Sequence, residues 1–90
     1  MKRICIKLTG KVQAVGFRMY VQDIAKKLEI NGIVRNDPND KSLYIEAESD
    51  EETLNDFLDY VKQGPPRAKI ENCSVKEAEL VNYKQFLIRI

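Results

Sequence analysis

Apolar residues recur along this chain with two different periods. Near the amino terminus Ile4, Ile6 and Leu8 share one face while Arg3, Cys5, Lys7 and Thr9 share the other, the alternation of a half-buried strand. Gly10 is expected to interrupt it. From Phe17 the period lengthens. Phe17, Tyr20, Val21, Ile24, Ala25 and Leu28 form a helical stripe broken by Gln22, Asp23, Lys26, Lys27 and Glu29. Asn31-Gly32, which tolerate left-handed geometry, are expected to end this helix. A second strand is predicted over about residues 32–37, running into the turn-forming segment Asp37-Pro38-Asn39-Asp40-Lys41-Ser42. Leu43, Ile45 and Ala47 then alternate with Tyr44, Glu46 and Glu48, so the two segments read as a hairpin. Ser49 and Glu52 have the S-x-x-E spacing of a capping box, and Leu54, Phe57, Leu58 and Val61 supply the stripe of a second helix that Gly64-Pro65-Pro66 stops. A further strand sets Glu71, Cys73, Val75 and Glu77 on one face. After a turn near Val81-Asn82, Phe86, Ile88 and Ile90 alternate with Leu87 and Arg89.

The element order is therefore β-α-β-β-α-β with a short fifth strand. It predicts an α+β fold, a ferredoxin-like α/β sandwich in which two helices cover one face of an antiparallel sheet. With 90 residues, the chain can bury roughly 60–65% of its unfolded surface, enough for one two-layer core, so residues 1–90 are expected to form a single domain. This fold hosts many functions and names none by itself.

Composition removes whole classes of chemistry. The chain contains no histidine and no tryptophan, which excludes histidine triads, histidine proton shuttles and histidine-containing zinc sites. Its 15 Lys+Arg against 14 Asp+Glu leave a net charge of +1, so no overall charge draws it to nucleic acid or an anionic membrane. Cys5 and Cys73 belong to no C-x-x-C pair. Both read as small buried apolar residues, with a disulfide between them left open. No run is apolar and long enough for a signal peptide or a membrane span, and a cytoplasmic monomer is the expectation.

The segment that invites chemistry is Thr9-Gly10-Lys11-Val12-Gln13-Ala14-Val15-Gly16-Phe17-Arg18. It is a loop opening directly onto a helix amino terminus, where backbone N–H groups and the helix dipole favour an anion. Arg18 is out of place there, since a cation in the first turn is disfavoured by roughly 0.3–1 kcal/mol. The second helix instead begins with Ser49-Asp50-Glu51-Glu52. A bound phosphate would resolve the conflict by giving Arg18 a charge-assisted partner. On residues alone, a surface arginine on an ordinary strand-to-helix connection stays open as the alternative, and Asn36 reads first as a turn residue.

These residues resemble a known family. Gly10-Lys11-Val12-Gln13-Ala14-Val15-Gly16-Phe17-Arg18 is similar to the acylphosphatase signature G-x-V-Q-G-V-G-F-R, and Gly32-Ile33-Val34-Arg35-Asn36 to its second motif, G-W-V-R-N. The likeness extends over essentially the whole chain. It implies hydrolysis of the carboxyl-phosphate bond of a small acyl phosphate, with Gln13, Ala14, Val15, Gly16, Phe17 and Arg18 binding the phosphoryl group and Asn36 positioning the attacking water. No cofactor, metal, nucleic-acid or membrane partner is implied. The chain departs from the pattern at Ala14 and Ser49, where glycine is usual, at Ile33, where an aromatic is usual, and in a longer, glycine-free hairpin turn. If position 14 needs a positive φ, alanine there costs roughly 1 kcal/mol.

Two other readings compete. A base-stacking sheet would need exposed aromatics, but Tyr44 shares its face with Glu46 and Glu48, which repel phosphates. A catalytically silent anion-binding or interaction module on the same scaffold is the stronger alternative, kept open by Ala14.

Overall fold

The computed structural model describes residues 1–89. Ile90, expected to continue the last strand, lies outside them. The elements are β1 (Lys2–Lys11), α1 (Phe17–Lys27), β2 (Asn31–Asn36), β3 (Leu43–Ser49), α2 (Glu51–Gln63), β4 (Lys69–Ala78) and β5 (Phe86–Arg89). The strands form a five-stranded sheet in the order β4-β1-β3-β2-β5.

The alternation at the amino terminus sets the register of the central strands. Ile4, Ile6 and Leu8 lie opposite Ala47, Ile45 and Leu43. All six are buried and join Val34 in one core with Phe17, Val21 and Ala25 of α1 and Leu54, Phe57 and Val61 of α2. Both helices thus cover the same side of the sheet, as the two apolar stripes require.

Three local expectations are corrected. Gly10 does not interrupt β1; a bulge between Thr9 and Gly10 absorbs the irregularity, and pairing with β4 continues to Lys11. The first helix ends at Lys27, where Glu29 takes the left-handed conformation (φ 58°) and Ile30 N–H donates to Ala25 O at 2.8 Å. Asn31-Gly32 already belong to β2, and the glycine serves a close approach: a Cβ at position 32 would sit 1.9 Å from Glu46 O of β3. The second helix is capped by Asp50, which accepts from Thr53 N–H at 2.8 Å, while Ser49 stays buried at the end of β3. The cap falls one residue later than the S-x-x-E spacing predicts, because Ser49 is held in the sheet opposite Lys2.

The sheet is also not wholly antiparallel, because β5 pairs with β2 in parallel. After β4, on the opposite edge, the chain crosses over the end of the sheet and enters β5 alongside the start of β2. Gly32 N–H donates to Gln85 O at 3.0 Å and Phe86 packs edge-on to Phe57 at 6.3 Å.

The crossing is held by Glu48, which is 3% exposed. Its carboxylate accepts from the N–H groups of Val81, Asn82 and Tyr83 at 2.6, 3.0 and 2.7 Å. Burial alone would raise this carboxyl's pKa, but the three amide hydrogen bonds outweigh burial and hold it below the ordinary glutamate range. A depressed folded-state pKa gives stability that is fully present above the unfolded value of about 4.3 and lost as pH falls through the lower folded value. Hydrogen exchange at the amides of Val81, Asn82 and Tyr83 is therefore expected to accelerate across that acidic window. Glu48→Gln should remove this residue's share of the pH dependence, as followed by thermal unfolding.

On the helix-free face, Glu46 takes an ion pair from Arg3 and hydrogen bonds from Tyr44 and Tyr83 hydroxyls at 2.8 and 2.7 Å. Burial and the bond to Glu46 push the Tyr83 phenol up to about 12. The Arg35 guanidinium lies 4.9 Å from the Tyr44 ring centroid. The two carboxylates expected to repel phosphates are thus engaged within the fold.

Cys5 and Cys73 are free and only half-buried, less covered than the buried apolar residues expected, although Cys73 packs against the core. Cys5 lies opposite Glu46 and Cys73 opposite Leu8, on the two different faces of the sheet, so they cannot bridge. No helix among the described residues is long and apolar enough to cross a membrane.

Candidate active site

The loop between β1 and α1 is shaped by three buried anchors, Val12, Val15 and Phe17, which fix it to the core at every second or third residue. Between them the backbone must turn sharply. Ala14 (φ 58°) and Gly16 (φ 78°) are both left-handed and both exposed. Such a curl is the kind of backbone that gathers amides into an anion-binding nest. Gly16 is also the N-cap of α1 and supplies no side-chain hydrogen bond to it. The first turn of α1 contains no acid, whereas Asp50, Glu51 and Glu52 crowd the start of α2.

Residue 14 thus takes the positive φ under which an alanine carries a strain cost. Ala14→Gly is expected to stabilise the fold by about 0.5–1 kcal/mol, since relief of left-handed strain exceeds the added unfolded-state entropy. Urea unfolding measures this directly.

Arg18 stands in the first turn, partly exposed, and makes no ion pair among the described residues. Asn36 approaches from the sheet. It is the last residue of β2, and its place opposite the core residue Leu43 turns its side chain toward the helices. Its Oδ1 is buried and has no hydrogen-bond partner among the described residues. A buried amide oxygen left unsatisfied costs on the order of 1–3 kcal/mol, so a fold keeps one where it serves a ligand or a reaction.

Arg18 and Asn36 line one cleft of about 350 Å³, together with Ala14, Gly16, Met19 and Ile88. Chain segments far apart in sequence therefore meet at one place. Gln13 explains how they are kept together. Its Nε2 donates to Asp37 O at 3.1 Å and Ser42 O at 3.0 Å, fastening the loop to the hairpin immediately after Asn36. The hairpin turn is itself tied by Asp37 N–H to Ser42 O at 2.9 Å, with Lys41 left-handed where a glycine is absent.

Of the residues expected to bind phosphate, Ala14, Gly16, Phe17 and Arg18 line the cleft, Val15 is packed into the core, and the Gln13 side chain turns to the hairpin. Sequence reasoning missed Met19 and Ile88. Met19 falls outside the apolar stripe of α1, and only the pairing of β5 beside β2 brings Ile88 to the same cleft. No cluster of three or more potential metal ligands occurs among the described residues.

Fold and site together define a ferredoxin-like α/β sandwich in which Arg18 of the β1–α1 junction and Asn36 at the end of β2 line one cleft. A profile of the acylphosphatase family matches residues 4–88. An acylphosphatase of Thermotoga petrophila is 43% identical over 89 residues, covering 99% of this chain and 98% of the relative. One from Archaeoglobus fulgidus is 46% identical over 81 residues, covering 90% of each. The crystal structure of acylphosphatase from Bacillus subtilis superposes with a TM-score of 0.95 at 37% identity, covering all of both chains. This chain belongs to the acylphosphatase family.

Proposed function

We propose that the chain hydrolyses the carboxyl-phosphate bond of acyl phosphates, that the loop from Ala14 to Arg18 with the Arg18 guanidinium holds the phosphoryl oxygens, and that Asn36 positions the attacking water. Water forms a bond to phosphorus as the bond from phosphorus to the acyl oxygen breaks. The acyl group departs as a carboxylate, and the water protons pass to the phosphate product and solvent. The phosphoryl group is a dianion that repels nucleophiles, so donors fixed around its equatorial oxygens both bind it and stabilise charge in a loose, in-line transition state. The Asn36 carboxamide oxygen accepts a hydrogen bond from the water and orients it without acting as a base.

The leaving group explains why no histidine is needed. A carboxylate leaves with a conjugate-acid pKa of about 4, so no general acid has to protonate it. A phosphate monoester leaves as a strongly basic alkoxide and would need an acid or a metal. The cleft's only charged lining residue among those described is Arg18, and hydrolysis is accordingly assigned to acyl phosphates, independent of metal.

The observation that carries this reading is that Asn36, whose buried Oδ1 has no hydrogen-bond partner among the described residues, lines the same cleft as Arg18. Purified protein incubated with benzoyl phosphate should release benzoate and phosphate at the same rate with and without EDTA, while p-nitrophenyl phosphate stays intact. No release above the uncatalysed rate would refute the reading. Inhibitor-grade phosphate binding without turnover would select the silent module instead.

A further inference from the structure

β4 is an edge strand, and among the described residues it pairs only with β1. Its outer row of N–H and C=O groups is a template for another strand. The bulge at Thr9/Gly10 leaves Glu71 as the extra residue on β4, so the regular stretch runs from Asn72, opposite Thr9, to Ala78, opposite Arg3. Every residue of that stretch except the half-buried Cys73 is exposed. Its midpoint is Val75. This valine lies opposite the core residue Ile6 and so points to the helix side of the sheet, yet it is 40% exposed because the helix layer stops short of this edge.

The charges along the edge change sign about the same midpoint. At one end Lys2 bridges Glu51 of α2 and Glu77 of β4, which leaves one carboxylate in excess and sets the start of α2 over the end of β4. From Glu51 the helical spacing carries the same face of α2 through Asn55 and Leu58 to Lys62. There burial pushes the Cys73 thiol up while the Lys62 ammonium acts against it, which puts Lys62 beside Cys73. The edge therefore has an acidic end at Glu51 and Glu77, apolar Leu58 and Val75 in the middle, and a basic end at Lys62.

We propose that this edge docks a second copy of the chain, β4 against β4 and antiparallel, with the twofold axis at Val75. In that register the two Val75 side chains meet, Ser74 faces Lys76 of the second copy, and Cys73 faces its Glu77. Lys62 of each copy comes against the acidic end of the other. Neighbouring registers lose the match. An axis at Ser74 sets Glu71 against Glu77, one at Lys76 opposes two lysines, and one at Cys73 has to pair through the bulge. The chain is then a dimer in place of the monomer expected from its sequence. None of the described residues lining the Arg18 and Asn36 cleft belongs to β4, so the cleft stays open.

The test is sedimentation velocity on the whole chain between roughly 1 μM and 1 mM, with a dimer expected to form as concentration rises. Val75→Lys, which opposes two cations on the axis, should raise the dissociation constant by about tenfold or more while the far-UV circular dichroism stays that of the parent. Cross-linking reads the register independently. With both native cysteines replaced by alanine, Val75→Cys should form an intermolecular disulfide under mild oxidation, because residues opposed across antiparallel strands have Cα atoms about 4.5–5.5 Å apart. Asn72→Cys in the same background should not, since the two copies of residue 72 lie about 20 Å apart. A chain that stays monomeric throughout, as it would if the edge served an extended segment of another protein, would overturn the proposal. So would a dimer that Val75→Lys leaves intact, or cross-linking at residue 72 equal to that at residue 75.

Discussion

Arg18→Gln is expected to lower kcat/KM for benzoyl phosphate by roughly 10³-fold and to abolish inhibition by inorganic phosphate at millimolar concentration. The two losses should appear together, because one guanidinium serves ground-state binding and the charge that builds in the transition state. Glutamine keeps the reach and some hydrogen-bonding capacity but not the charge or the planar fork. Stability should move the other way. Arg18 makes no ion pair among the described residues and stands in the first turn of α1, where the helix dipole opposes a cation. Removing it should therefore leave the unfolding free energy unchanged or raise it by roughly 0.3–1 kcal/mol. A variant that is as stable as its parent and nearly inactive separates a functional arginine from a structural one. If Arg18→Gln retained full activity, the cradle assignment would be wrong.

Asn36→Ala should behave differently. Turnover is expected to fall by roughly 10²–10³-fold, since a water that was held in line must now be found by chance. Inorganic phosphate should still inhibit as it does the parent, because the loop and Arg18 are untouched. Stability again should not fall, as the substitution deletes a buried oxygen that has no hydrogen-bond partner among the described residues. The contrast between the two variants is the useful part. Arg18 is assigned to binding and chemistry, Asn36 to chemistry alone. Loss of phosphate binding in Asn36→Ala would place the asparagine in the cradle and take away its role toward water.

The order of elements was legible because each apolar stripe has one period and one partner face. What the sequence did not reveal was decided by neighbours distant along the chain. Ser49 looks like a cap, but its pairing with Lys2 in the sheet takes precedence and leaves the capping to Asp50. Gly32 looks like a helix terminator, yet it is there because the backbone of β3 passes too close for a Cβ. The direction of β5 is not written in its alternation, which reads the same either way. It follows from the crossing segment that Glu48 anchors.

The site divides along the same line. Arg18 could be singled out from local electrostatics, because a cation at a helix start conflicts with the dipole and α2 provides the contrast within the same chain. The conformation of Ala14 was a conditional expectation that the left-handed φ now meets. Asn36 by itself resembled a turn residue. Its significance depends on a buried, unpaired oxygen, a property only three-dimensional packing creates. Gln13 stands in the motif by resemblance, and its side chain ties two hairpin carbonyls and so sets the loop against Asn36. Residues that hold such a site in register carry no sequence signal apart from their place in a motif.

The central claim is that the cleft presents phosphorus, not the acyl carbonyl carbon, to a water held by Asn36. Hydrolysis of benzoyl phosphate in water enriched in heavy oxygen, followed by mass spectrometry of both products, tests it most directly. The account predicts one heavy oxygen in the inorganic phosphate and none in the benzoate. Heavy oxygen in the benzoate would mean attack at the carbonyl carbon and would contradict the account.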